Sequence, residues 1–190
     1  DVERKAGDTD AQLKDDGVAM LKLYDGQIGA KIQPERVEAE GSLQITAGQA
    51  GTFKLVVKVD LRTRAGVIID YKTTKKRKPE GEALWDTQLT AEQLVEERAK
   101  RPAKRLEMHV IGRQKRGPFL QVLQSPIRTA EQKQDVLQSF AEVATAIRAG
   151  IFPKTDQIQQ TCSWCGFRKL CRPEYARWQA QQKADKAEEE

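Results

Sequence analysis

The sequence predicts an α/β fold with a central mixed sheet flanked by helices, and three observations predict it. Apolar and polar residues alternate through residues 37–45, 52–62 and 67–73, as half-buried strands require. Helical spacing of apolar residues replaces that alternation over 82–100 and again after Thr129. Between those helices alternation returns over 106–112 and 119–124. At 190 residues the chain is long enough for one domain with a real core, residues 154–190 forming a cysteine-containing C-terminal segment.

Residues 1–16 are polar and expected to fray, and no initiating methionine precedes Asp1, which suggests an incomplete amino terminus. Val18, Met20, Leu21, Leu23 and Tyr24 then suggest a helix packed on the domain, ended near Pro34. The three strands that follow read as an antiparallel meander. The helix over 82–100 carries Trp85 and Leu89, with Gln88 and Glu92 one turn apart, and is expected to cross the sheet face. Two further strands are joined by the basic turn Arg113-Gln-Lys-Arg-Gly117. Thr129 opens a helix with Gln132 completing a capping box, an apolar stripe of Val136, Phe140, Val143 and Ile147, and Gly150 and Pro153 at its end. A last helix is expected over 174–186, with Tyr175 and Trp178.

The hairpin over 57–73 carries the chemistry. Successive strand side chains alternate faces, so Phe53, Leu55, Val57 and Val59 share one face and Lys54, Val56, Lys58 and Asp60 the other. On the return strand Ile68, Asp70 and Lys72 alternate with Val67, Ile69 and Tyr71. Arg64-Ala65-Gly66 fits a three-residue loop whose glycine takes the left-handed position. Thr63 then opposes Val67, Asp60 opposes Asp70, and both carboxylates share a face with Lys72. A loop one residue shorter or longer would throw Asp70 to the far side.

Adjacent carboxylates repel one another, and a divalent cation resolves the conflict. Oxygen ligands favour magnesium or manganese, which lower the pKa of a bound water and stabilise charge on phosphate oxygens. Lys72 is placed to orient that water or neutralise the transition state. In isolation Asp-x-Lys also describes an ordinary exposed hairpin; the opposing Asp60 and the apolar run over 67–69 favour the catalytic reading. Lys75, Lys76, Arg77 and Lys78 leave the same strand as a basic loop suited to phosphates, although such a run taken alone is most often solvated surface.

The formal net charge of +5 permits a polyanionic partner without requiring one, and a mean hydropathy of −0.68 with no long apolar stretch excludes a membrane span. All three cysteines lie at Cys162-x2-Cys165-x5-Cys171, spacing that suits metal ligation better than a dispersed disulfide framework. Zinc with His109 as a fourth ligand is formally open, as are free thiols, but His109 sits in a strand pattern that favours packing.

Taken together, Asp60, the run Val67-Ile-Ile-Asp70-Tyr-Lys72-Thr73, Gln88 and the cysteine triplet resemble the PD-(D/E)xK nuclease superfamily, and within it the RecB-like branch. That branch includes AddB-type helicase-nuclease subunits, CRISPR-associated exonucleases and phage RecB-like exonucleases. The resemblance implies a restriction-endonuclease-like sheet and a metal-dependent (exo)deoxyribonuclease acting on DNA ends in recombination, repair or phage DNA processing. It implies a cytoplasmic setting and a helicase, recombinase or single-strand-binding protein as partner. Asp60, Asp70 and the Tyr71 carbonyl become metal ligands, with Lys72 and Gln88 at the catalytic centre. It makes Cys162, Cys165 and Cys171 ligands of a 4Fe-4S cluster whose fourth cysteine would lie upstream. Two positions depart from the pattern. Glu92 stands where a tyrosine is usual, and no histidine precedes His109, leaving Glu38 or Glu40 for the upstream acidic role. A non-catalytic DNA-binding or assembly module and a zinc-stabilised interaction domain are the rival readings.

Overall fold

The computed structural model describes residues 9–48, 51–152, 154, 162 and 165–188. The chain divides into two compact units, Gly7–Ala149 and Gly150–Glu190 together with Asp1–Ala6. In the first unit, helix α1 (Asp10–Gln27) opens on a capping box between Thr9 and Gln12, and a short 3-10 turn follows at Gly29–Lys31. Pro34 does not only end that region but begins β1 (Pro34–Ala47), which is followed by β2 (Gly51–Thr63) and β3 (Val67–Thr74).

The expected single helix over 82–100 is two. Helix α2 (Glu82–Trp85) stops at Asp86, whose extended backbone and carboxylate, accepting from the Leu89 N–H at 2.8 Å, start α3 (Thr87–Arg98) afresh. After it come β4 (Arg105–Gln114), β5 (Gly117–Ser125) and α4 (Ala130–Arg148), whose Thr129–Gln132 capping box is formed.

The five strands run in the order β1-β2-β3-β4-β5. All pairs are antiparallel except β3 with β4, which are parallel because the α2–α3 crossover separates them. This is the mixed sheet, flanked by helices, that the sequence predicts.

Ile68, Leu89, Leu106 and Val110 are fully buried, and with Val59, Val95, Met108 and Leu123 they form the core between sheet and α3. Burying each such side chain contributes roughly 1.5–3 kcal/mol. Gly41 of β1 lets α3 close in: a Cβ there would meet the Val95 side chain at 3.0 Å. Arg128, only 4% exposed, locks the front of this layer by donating to Thr90 Oγ1 (2.9 Å), Ser125 Oγ (2.5 Å) and the Ala83 carbonyl (2.6 Å).

The apolar stripes of the outer helices are less covered than their periodicity suggests. In α4 Phe140 packs on the core, but Val143 and Ile147 stay exposed. In α1 Val18 and Leu21 are exposed, and Tyr24 provides its polar anchor.

In the second unit α5 (Arg168–Cys171) precedes α6 (Pro173–Glu188). Pro153, expected to end the preceding helix, and the side chain of Tyr175 lie outside the described residues. No helix among the described residues is long and apolar enough to cross a membrane.

Candidate active site

The hairpin turn forms as its loop length requires. Gly66 has φ +81° and donates its N–H to the Thr63 carbonyl at 2.9 Å, while the Val67 N–H reaches Thr63 Oγ1 at 3.0 Å. The register Arg62↔Ile68 and Leu61↔Ile69, carried one step on, sets Asp60 level with Asp70.

There the ladder stops. β3 continues alongside β4 through Thr74, β2 continues alongside β1, and the two strands part. In place of a ladder bond, the Tyr71 N–H donates to Asp60 Oδ2 at 2.9 Å.

Simple alternation fails at this point. Val57 and Val59 pack into the core with Ile68, yet Leu61 is paired with Ile69, which lines the opposite face beside Val67 and His109. Directly opposed residues share a face, so β2 turns over at Asp60. The neighbouring β1 residue, Glu38, sits between the partners of Leu61 and Val59 and takes φ +50°, a conformation that costs a non-glycine residue energy. The expected grouping of Asp60 with Lys58 and Val56 on one flat face is therefore corrected. Asp60 occupies the fork between strands.

Asp70 is fully buried, with Oδ1 accepting from Lys72 Nζ at 2.9 Å and Oδ2 without a partner among the described residues. Lys72 Nζ also donates to Gln88 Oε1 at 2.6 Å, and Gln88 Nε2 donates to Glu92 Oε1 at 3.1 Å. Helix α3 thus supplies two side chains to the site, four residues and one turn apart. Burial raises the Asp70 pKa above its usual value; the Lys72 hydrogen bond and charge oppose that rise, while Asp60 and Asp86 add to it. Burial pushes the Glu92 carboxyl up to about 9, with the Asp70 charge the next cause.

The residues fit a divalent ion, because a buried carboxylate oxygen with no partner is a group that calls for one. Among the described residues no three His, Cys, Asp or Glu side chains already converge on one point. Magnesium needs only one or two carboxylates, its remaining positions going to water and phosphate.

The other predicted residues are placed as follows. Glu38 pairs with Lys58 and stays more than half exposed, and Glu40 lies opposite Lys58 on β1. Lys75 and Lys76 are exposed, whereas Arg77 stacks on Phe119 at 4.9 Å and Lys78 Nζ donates to Glu82 at 2.6 Å. Trp85 is exposed and Phe119 is buried. Cys162 is buried, Cys165 and Cys171 are half-buried, and all three are free thiols.

Sequence reading missed a network on the opposite face. The Tyr24 hydroxyl lies 2.8 Å from that of Tyr71 and 3.0 Å from His109 Nδ1, and His109 Nε2 lies 2.9 Å from Glu107 Oε2. Both ring nitrogens of His109 are thereby engaged by other side chains. An ionised Glu107 can only accept, so Nε2 carries the proton.

Glu107 is held below the usual carboxylate range by that hydrogen bond, and the Arg105 and His109 charges assist against burial. A depressed folded-state pKa contributes stability that is present above the unfolded value near 4.5 and lost as pH falls through the folded one. Urea unfolding between about pH 6 and 3 should therefore show a smaller acid loss in Glu107→Gln than in wild type. Equal losses would mean the pair adds nothing to acid sensitivity.

The family model described as the PD-(D/E)XK nuclease superfamily matches residues 9–172. The chain belongs to the PD-(D/E)XK nuclease superfamily. Its members are phosphodiester hydrolases that generally use divalent metal ions such as magnesium.

Among solved structures, a candidate exonuclease from Eubacterium rectale is similar at 12% identity and TM-score 0.53, over 85% of this chain and 63% of its own length. This likeness bears on the fold alone. SSO0001 matches at 15% identity and TM-score 0.49, over 87% of this chain and 71% of that one. No curated protein matches the chain in sequence.

Proposed function

We propose that this PD-(D/E)XK nuclease is a metal-dependent deoxyribonuclease that degrades DNA from an accessible end. The observation that carries the metal reading is the buried Asp70 carboxylate, one oxygen held by Lys72 and the other open, at the fork where Asp60 meets β3. Superfamily membership supplies the nuclease prior.

Asp60, Asp70 and the Tyr71 carbonyl are the residues that would hold the ion. A divalent ion there acidifies water and offsets charge on phosphate oxygens. Lys72, fixed between Asp70 and Gln88, presents an ammonium whose remaining proton can orient the attacking water or meet the charge that builds on phosphate. Gln88 keeps that ammonium from rotating away, and the burial of Asp70 keeps bulk water from screening the pair. Hydrolysis adds water across one P–O bond, leaving a phosphate and a hydroxyl on the two products.

End-labelled single-stranded, duplex and circular DNA, incubated with magnesium or manganese, tests the reading. Linear DNA should be shortened and circles left intact. Cleavage of circles would make the protein an endonuclease, and no cleavage with either ion would overturn the assignment.

The basic loop is read as a phosphate contact; Arg77, exposed like Lys75 and Lys76, is stacked on Phe119, so the two lysines are the pair to replace. Replacing both with alanine should flatten the dependence of log K on log salt by about one to two, at roughly 0.9 per phosphate contact. A slope identical to wild type would make the loop solvated surface only.

A further inference from the structure

Glu92 departs from the expected pattern at the site, and its surroundings assign it a use. It is fully buried on α3, and Gln88 donates to its Oε1 at 3.1 Å. Its Oε2 has no partner among the described residues, as is true of Asp70 Oδ2. Two buried carboxylates that act on one another each keep one oxygen unsatisfied, an arrangement that costs free energy in a protein interior. Asp60 also acts on Glu92, and Lys72 is the cation that opposes them. Asp70 and Glu92 are joined through Lys72 and Gln88, and a divalent cation with its bound water would supply the partner that both open oxygens lack.

We propose that Glu92 is a residue of the metal centre, its open oxygen accepting from the coordination shell of the ion that Asp70 holds. Where the resemblance expects a tyrosine, Glu92 brings a carboxyl that, ionised beside a bound cation, accepts without donating. A shell acceptor has no need to touch the ion itself, which agrees with the absence of a ready three-ligand cluster among the described residues. Groups that hold a metal's ligands without touching the metal change its affinity by about tenfold to a hundredfold when removed. The inference rests on the metal-dependent reading of Asp70.

The test is manganese binding, by calorimetry and by the EPR signal of free Mn2+, on the purified chain as wild type, Glu92→Gln and Asp70→Asn. Glu92→Gln retains the oxygen that accepts from Gln88 and removes the charge. It should weaken Mn2+ by about tenfold to a hundredfold. Without metal it should unfold near the wild-type temperature, since glutamine fills the same space and keeps the oxygen that accepts from Gln88.

Weakened binding in Asp70→Asn with unchanged affinity in Glu92→Gln would overturn the role of Glu92 and leave the metal centre standing. Unchanged affinity in both would overturn the metal-centre reading itself. If Glu92→Gln does not fold by circular dichroism, Glu92→Asp replaces it. Drawing the carboxylate back by one methylene should likewise weaken Mn2+, and wild-type affinity there would overturn the proposal.

Discussion

Lys72→Ala is expected to lower DNA cleavage by about a hundredfold to a thousandfold, the range seen when one preorganised electrostatic donor is removed. The ammonium is held at 2.9 Å from Asp70 and 2.6 Å from Gln88, so its position is set before substrate arrives. Loss of Lys72 also leaves Asp70 as a buried carboxylate with both oxygens open, which favours its protonated form in the absence of metal.

Lys72→Ala should therefore keep its fold by circular dichroism and bind Mn2+, yet turn over slowly in single-turnover assays at saturating metal. Asp70→Asn should fail earlier, at metal binding. Cleavage at the wild-type rate by either variant would remove the catalytic assignment.

The largest effect on stability is expected at Arg128. Its guanidinium, almost wholly buried, donates to two hydroxyls and the Ala83 carbonyl, and its backbone N–H donates to Gln93 Oε1 at 2.8 Å. Burial pulls its pKa below the ordinary arginine value, and the Asp86 charge opposes that fall. Arg128→Met fills the same space and leaves those acceptors unpaired, at a cost of about 3 kcal/mol. Urea unfolding should show this as a lower midpoint with an unchanged slope. A loss under about 1 kcal/mol would mean that water takes over the vacated hydrogen bonds.

Local rules made the framework of the fold readable. Three residues between Thr63 and Val67 set the hairpin register, and a threonine three residues before a glutamine marked the start of α4. The parallel β3–β4 pair follows from a helical segment too long for a hairpin connection.

What alternation could not show is the turnover of β2 at Asp60, because period-two reasoning assumes a flat ladder and the site lies where the ladder ends. The role assigned to Glu92 was hidden for another reason. One turn after Gln88, a glutamate reads as a polar helix residue until burial shows that it faces inward. Arg128 and the Tyr24–His109–Glu107 chain join segments more than thirty residues apart, and no local spacing announces such contacts.

The fork between β2 and β3 also bears on self-association. Beyond Ile69, β3 has a strand partner on its β4 side and none among the described residues on the β2 side, so its backbone there forms an internal sheet edge of the kind that recruits foreign strands. Asp60 occupies the Tyr71 N–H that such a strand would need, and Asp70 and Lys72 flank the gap with charge. An incoming chain would have to displace one carboxylate and bury its own carbonyls beside another. The residues read here as machinery for cutting a phosphodiester thus also guard an open seam against self-association.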